Sequence, residues 1–583
     1  MSTPVTVNDL TPISGSVQTS RISYAVEPAG KNYGQNYGGK NWYSDIPNDG
    51  TYYTIVTDNY TANYYTSRSE AGGGYVEGGI PAVDEYSAPV FWITTGTASA
   101  NIITTVNGLP DRIGEEPFVS GSHALEWLAS SSNYFAIGPD YYRDIDADNL
   151  VLFVQANQII SYPTTGSNWY DVSGYSNNVT LVNGLENSWD SNGYFNFDGT
   201  DDYGTITSDS SMNSNVFSVE ALVRLGVADN NIRTIASRGG NPGAATNGWW
   251  MGTLRNGLGG GQNEFRFMWW GTSAYLDRVT SIGANDLRWH HMVATSDGTT
   301  GTVYIDGVFN TSATLPAGNL YTDGDAYLIG IADTLGNPWS GSIAQEKFYP
   351  KALSATDIAQ NYYGGPIVTD SLELAVDAGN LVSYPKSGTS VYDLTSNSND
   401  GTLYNGVSYF AQNGGYWDFD GSNDYAKFSL NGVDLDNECT IEMWTKRNST
   451  PAAWRTYMNI VPNGATVPFF EFRTSAANTI TSALYYDGAI NYATPSYTLN
   501  LNEFYHLTAT WQSSTNTIKF YVDGAFVGQN NTIPNFGIGP DPVLQMAIAY
   551  DGTRNTDISI ASARIYSKAL TADEVAQNYN ATN

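Results

Sequence analysis

Three things are scarce in this chain, and each scarcity excludes something. A single cysteine, Cys439, stands among 583 residues, which rules out an internal disulfide and any cysteine-built metal cluster. It lies in an apolar strand pattern and reads as a buried, inert thiol. Basic residues number 25 against 57 acidic ones, a formal net charge of −32. Nucleic acid is bound through a basic face, so it is excluded as a partner; the acidity serves solubility and repulsion between copies. No stretch approaches the roughly 18 consecutive apolar residues of a membrane-spanning helix, and no membrane partner is expected. The amino terminus, Met1 to Val7, lacks both a basic region and an apolar run, so no secretory leader is expected and synthesis in a cytosol is. Sequons such as Asn178-Val179-Thr180 are then chance matches.

What the chain has is aromatic and repeated. Apolar residues make up 41 % and aromatics 13 %, with 42 tyrosines, enough for packed cores and too much for a disordered chain. The stretch 148–203 recurs at 370–425 by a constant shift of 222 (370 − 148 = 425 − 203 = 222), with 24 of 56 residues identical. Ser161-Tyr162-Pro163, Tyr170-Asp171, Asn183-Gly184 and Phe197-Asp198-Gly199 return as Ser383-Tyr384-Pro385, Tyr392-Asp393, Asn405-Gly406 and Phe419-Asp420-Gly421. So long a period is a duplication of whole domains, not a solenoid unit.

The order of the chain gives three domains. Residues 1–145 hold short β-rich runs (Tyr52–Val56, Val90–Thr94, Asn101–Val106) between Gly, Asn and Pro punctuation, a small, mainly-β domain. One helix is expected there, capped by Ser122, with Glu126 in its first turn and Ala124, Leu125, Trp127 and Leu128 as its apolar face. Residues 146–365 are the first repeat. Leu150, Leu152 and Val154 alternate as on a half-buried strand and match Leu372, Leu374 and Val376. Further on, Phe217–Val223 aligns with Cys439–Thr445, Trp289–Thr295 with Phe504–Thr510, and Val303–Gly307 with Phe520–Gly524. The Asp-Gly ending the last pair is a hairpin-turn signal. Each copy closes on a short helix, with Ser354/Asp357 and Thr571/Glu574 at capping-box spacing. Gly364-Gly365-Pro366 is the linker to the second repeat, 366–583. Many strands, frequent turns and little helix describe an all-β chain with two tandem antiparallel β-sandwiches.

This ordered set of motifs resembles the laminin-G-like, concanavalin A-like lectin/glucanase jelly roll. It is carried by Tyr170-Asp171-Val172 and Tyr392-Asp393-Leu394, the two Asn-Gly pairs, Asp198 to Tyr203 and Asp420 to Tyr425, Trp289-His290-His291-Met292, and the closing Ala352–Tyr362 and Ala569–Tyr579. The resemblance covers roughly 146–583. The Ser-Tyr-Pro and Asn-Gly variant looks like the one frequent in structural proteins of tailed bacteriophages. It implies a component of the virion surface (head decoration, fibre or tail appendage) made in the host cytoplasm. Its N-terminal domain would dock on other virion proteins, and a homo-oligomer would fit a multi-copy appendage.

Glucanases on this fold carry a Glu-Xaa-Asp-Xaa-(Xaa)-Glu strand, which puts acid and nucleophile on one face at the separation a retaining mechanism needs. The corresponding strands here offer only Glu220 and Glu442, each without a second carboxylate two or four residues on. No catalytic residue is expected and the protein reads as no enzyme. His291 and His506 recur at one position. A metal or acid–base role is set against a histidine bonded inside the sandwich, and the latter is preferred because no other histidine matches between copies. The turns at Asp198, Asp202 and at Asp420, Asp424 could supply oxygens to Ca2+, as related domains sometimes do. Asp also caps its own turns without any metal, and that reading is preferred. Asp144, Asp146 and Asp148 begin like an EF-hand but lack its glycine and closing Glu, so they read as linker. Glycan-binding candidates are Trp249, Trp250, Arg266, Trp269 and Trp270 in the first repeat and Trp454, Tyr485 and Tyr486 in the second, though adjacent aromatics on a strand face opposite ways and one of each pair is expected in the core. Three readings follow: a virion surface protein with weak glycan binding to host cells, the same scaffold as a spacer without ligand, and a secreted adhesin or glycanase.

Overall fold

The computed structural model describes residues 149–583, except 159–160, 208, 230, 240–246, 255–262, 273, 323, 334, 412–413, 451–454, 463–467, 477–478, 487–488, 493–496, 533–540 and 583, and the backbone alone of short strands within 1–148. Two compact units divide the chain at Ser354/Ala355. Almost everything described is antiparallel sheet, and no helix of the described residues is long and apolar enough to cross a membrane.

In the N-terminal region the expected runs are strands, Tyr53–Thr57, Val90–Thr95 and Ala100–Asn107. The expected helix at Ser122 is not formed. Ser122–Ala124 pairs with Thr105–Asn107, and Glu126–Leu128 pairs with Tyr134–Ala136. Five apolar or capping residues are too few to sustain a helix alone, and extended neighbours offer the backbone a ladder instead.

Each repeat builds two sheets. In the first repeat both have eight strands; in the second there are eight and nine. The centre of one sheet is the long strand Val216–Leu225, hydrogen-bonded to Trp289–Asp297 on one side and Ser340–Tyr349 on the other. Its duplicate is Glu438–Arg447 between Phe504–Gln512 and Asp557–Tyr566. Period-two alternation sends Phe217, Val219, Ala221, Val223 and Leu225 into the core, with Cys439, Ile441 and Met443 as the second set. Trp169, Ile235, Trp249, Phe267 and Tyr327 meet the first set from the facing sheet, each large buried side chain contributing about 1.5–3 kcal/mol.

Cys439 is buried and free, its thiol pushed up by burial. Both Asp-Gly hairpins form as expected. Asp306 and Gly307 sit at φ of 51° and 75°, Asp523 and Gly524 at 49° and 72°, the paired positive values of a type I′ turn. The closing helices are Ala355–Tyr363, which belongs to the second unit, and Ala572–Thr582. The second shows the capping box in full: Thr571 N–H donates to Glu574 Oε2 at 2.8 Å and Glu574 N–H to Thr571 Oγ1 at 3.3 Å. Its inner side packs Val575 against Tyr521, Tyr566 and Leu570.

Candidate functional site

The strand at the centre of one sheet in each sandwich carries a carboxylate where a catalytic group would be sought, and in both copies it is sealed. Glu220 is buried, with Lys347 Nζ at 3.1 Å and His291 Nε2 at 3.2 Å from its Oε2. Glu442 receives Arg564 Nη1 at 2.9 Å and Asn578 Nδ2 at 3.1 Å, with His506 Nε2 at 3.7 Å. Burial alone would raise the Glu442 carboxyl, but His506 and Arg564 outweigh it and hold the group down to about 2. An acid that stays ionised cannot hand a proton to a leaving group near neutrality. The same-face positions two and four residues on are Leu222 and Arg224, Trp444 and Lys446. Four residues back stands Val216 in the first repeat, which therefore lacks the second carboxylate of a glycosidase pair there; in the second stands Glu438, whose carboxylate accepts from Gln512 Nε2 at 3.1 Å and from the Ala569 N–H at 3.4 Å. His291 and His506 occupy one register position, opposite Leu222 and Trp444, and each faces the glutamate of its own copy.

The neighbouring histidine is the one that sequence reasoning passed over. His290 lies between two carboxylates, Nδ1 at 2.8 Å from Asp306 and Nε2 at 3.0 Å from Asp286. Burial would lower its pKa, but the charges and hydrogen bonds of Asp306 and Asp286 prevail and raise it to about 10. In the second repeat Tyr505 takes this place and donates to Glu503 Oε2 at 2.7 Å. The signal was present as Asp286 four residues before His290, with Asp306 in the hairpin turn.

The acidic turns stand at the sandwich rims. Asp198 Oδ1 accepts the N–H groups of Thr200 and Asp201, and Asp202 Oδ2 accepts that of Asp198. The second turn repeats this through Asp420, Ser422, Asn423 and Asp424. Both turns are thus self-capped. In the first, ligand oxygens of Asp198, Asp201 and Asp202 lie within 4.8 Å of one another, a spacing and hardness that fit a Ca2+ bound at about 2.3–2.6 Å. In the second, Asn423 stands in place of Asp201, leaving one carboxylate fewer. Burial raises Asp202, whereas Asp198, despite some burial, is lowered by the amides of Thr200 and Asp201.

The aromatic candidates require correction. Trp249, Trp250, Trp269 and Trp270 are all packed inside the first repeat, at 0–4 % exposure. Trp249 and Trp269 enter the core between the sheets, as alternation requires. Trp250 and Trp270 point to the other face but are covered there too, in a cluster with Met268 and Ala332, and Trp250 Nε1 donates to Thr234 Oγ1 at 2.8 Å. Arg266 is buried and ion-paired with Asp277. None of the four rings is open to a sugar. Trp454 and the side chains of Tyr485 and Tyr486 lie outside the described residues, as do Asp144, Asp146 and Asp148.

Several other described aromatics are open, and one of them, Tyr404, forms a stacked pair beside an acidic turn. Tyr404 is 37 % exposed and stacks on Tyr425, ring centres 4.6 Å apart at 13°, with Lys427 Nζ 5.3 Å above the Tyr425 ring. Tyr425 directly follows Asp424, and Asn405 beside Tyr404 donates to Asn423 O at 2.8 Å. The stacked pair therefore stands at the foot of the second acidic turn. The Asp-Tyr ending the repeated motif was its sequence signal.

Comparison with known proteins fits this construction. The family description that matches is the Concanavalin A-like lectin/glucanases superfamily, over residues 198–359 and 420–576. Among solved structures, domain 4 of a GH43 extracellular arabinanase from Geobacillus stearothermophilus, in complex with arabinotriose, is similar over 37 % of this chain and 98 % of its own, at 17 % identity and a TM-score of 0.29. Domains LG4-5 of the mouse laminin α1 chain match over 63 % and 88 %, at 11 % identity and 0.24. The botulinum neurotoxin serotype D binding domain matches over 74 % and 97 %, at 13 % identity and 0.32. No curated protein matches the chain in sequence. Matched twice and over more than half its length, the chain belongs to the concanavalin A-like lectin/glucanases superfamily.

Proposed function

We propose that this protein is a non-catalytic surface component of a virus particle, a head decoration, fibre or tail appendage, whose sandwiches hold cell-surface glycans weakly. One observation carries the non-catalytic part: Glu220 and Glu442 are both buried in ion pairs, and Glu442 is held ionised there. The stacked Tyr404–Tyr425 pair beside the acidic turn supports the binding part, because a sugar ring packs its C–H face on an aromatic side chain while carboxylates and amides take its hydroxyls. Many copies on one particle would turn weak single sites into firm attachment. The particle assignment rests on the repeated motif set, with residues 1–145 as the anchor to other virion proteins.

A spacer without ligand is the second reading, and the burial of all four described tryptophan candidates favours it. A glycan array run on the full chain, with Ca2+ and with chelator, separates the two. Binding reduced at least tenfold by Tyr404→Ala supports the glycan reading; no binding to any glycan supports the spacer. Particles carrying a tag at the C terminus, imaged by electron microscopy, test the location. Absence of the tag from purified virions would overturn it.

A further inference from the structure

The core of the first sandwich contains a carboxylic acid that the second does not. Glu346 lies on the Ser340–Tyr349 strand and, unlike Glu220, points inward, where alternation on that strand sets it between Ala221 and Val154. It is fully buried. The Tyr327 hydroxyl, from the facing sheet, donates to its Oε1 at 2.5 Å, and Oε2 meets no hydrogen-bond partner. The surroundings are aromatic: Trp249 and Phe348 pack on Tyr327 at 5.1 and 6.0 Å between ring centres.

Other charged groups cannot rescue an ionised carboxylate here. The sandwiching strands contribute Ala221 and Val154, and the facing sheet contributes Tyr327 as the titratable group. Lys347 lies on the opposite face of the strand, bound to Glu220, and the Glu220 charge itself opposes ionisation of Glu346. Arg238, the cation felt by Tyr327, has its guanidinium bound to Met212 O and Asn213 Oδ1.

The duplicate shows that the fold does not need this acid. By strand register Ala221, Glu346 and Tyr327 correspond to Met443, Ala563 and Leu544, and all three of the latter are core residues. A carboxyl has thus been placed in one copy where the other packs only hydrocarbon, although a buried polar group with one unmet oxygen is a cost to stability.

We propose that Glu346 is a buried proton switch: the first sandwich is tight while this carboxyl holds its proton and loosens as pH rises, while the second sandwich is built without the device. Burial in the aromatic core, aided by the Glu220 charge, pushes the carboxyl well above its ordinary value of 4.5, against the Tyr327 hydrogen bond. A group raised in the folded state binds more protons there than in the unfolded chain. Its contribution is fully present below 4.5 and is lost progressively above it.

The test is urea unfolding of the full chain from pH 5 to pH 8, comparing wild type with Glu346→Gln and Glu346→Met, neither of which can titrate. The ratio of wild-type to variant folding equilibrium constants is expected to fall about tenfold per pH unit, the slope of one proton, in a single transition, with the other transition unmoved. A ratio constant across this range would overturn the proposal. So would failure of both variants to fold at pH 8, since the carboxyl would then be required rather than tolerated.

Discussion

Glu442 shows how one side chain can serve the fold and refuse a reaction. Its carboxylate holds Arg564 and His506 beneath the C-terminal helix through Asn578, and removing its charge leaves a buried guanidinium uncompensated. Glu442→Gln should therefore destabilise the second repeat by about 3–5 kcal/mol, read as a lower urea midpoint. The sign in pH follows from its lowered value. Stability from Glu442 is present above 4.5 and is lost as pH falls toward about 2, so the variant should lose less between pH 4.5 and 2 than wild type does. His290 runs the other way. Raised to about 10 by Asp306 and Asp286, it contributes fully below 6.5 and fades as pH climbs toward 10. The melting temperature of His290→Gln should approach that of wild type over that range; a gap constant from pH 6 to 10 would contradict the charged clamp. Strand alternation in the sequence put one tryptophan of each pair in the core, and Trp249 and Trp269 are those. It could not say what covers the other face, where Trp250 and Trp270 are buried in a cluster with Met268 and Ala332.

At the scale of elements, local chemistry was legible where a short segment satisfies itself. The Asp-Gly hairpins and the capping box at Thr571 and Glu574 depend on neighbours three residues apart or fewer, and both stand as expected. Thr571→Ala should cost about 1 kcal/mol and speed amide exchange in Ala572–Thr582 while leaving the central strand Glu438–Arg447 unchanged. Equal acceleration in both would mean that the helix is not a separable element. The segment at Ser122 was misread because its caps and apolar residues are as compatible with a strand as with a helix, and pairing with Thr105–Asn107 and Tyr134–Ala136 decides the matter at long range. Tyr404 was missed for a similar reason. Only the register between Gly401–Tyr404 and Tyr425–Ser429 brings it over Tyr425.

Over the whole molecule, duplication made the architecture readable, because two copies reveal by agreement which positions build the sandwich. Their disagreements show where the copies have diverged: Glu346 against Ala563, His290 against Tyr505, Asp201 against Asn423. The charge of −32 sets a further expectation. Association between copies is opposed by repulsion screened over about 8 Å at physiological salt, so self-association measured by sedimentation should strengthen as salt is raised from about 10 to about 500 mM. Weakening would point to attractive ion pairs between copies instead. The central claim is that these sandwiches retain a glycan without cutting it. Affinity electrophoresis of the full chain through a panel of polysaccharides, with assay of new reducing ends in the same gels, tests it most directly: retardation by at least one polysaccharide with no reducing ends released is the expected result, and reducing ends that disappear with Glu220→Gln or Glu442→Gln would contradict it.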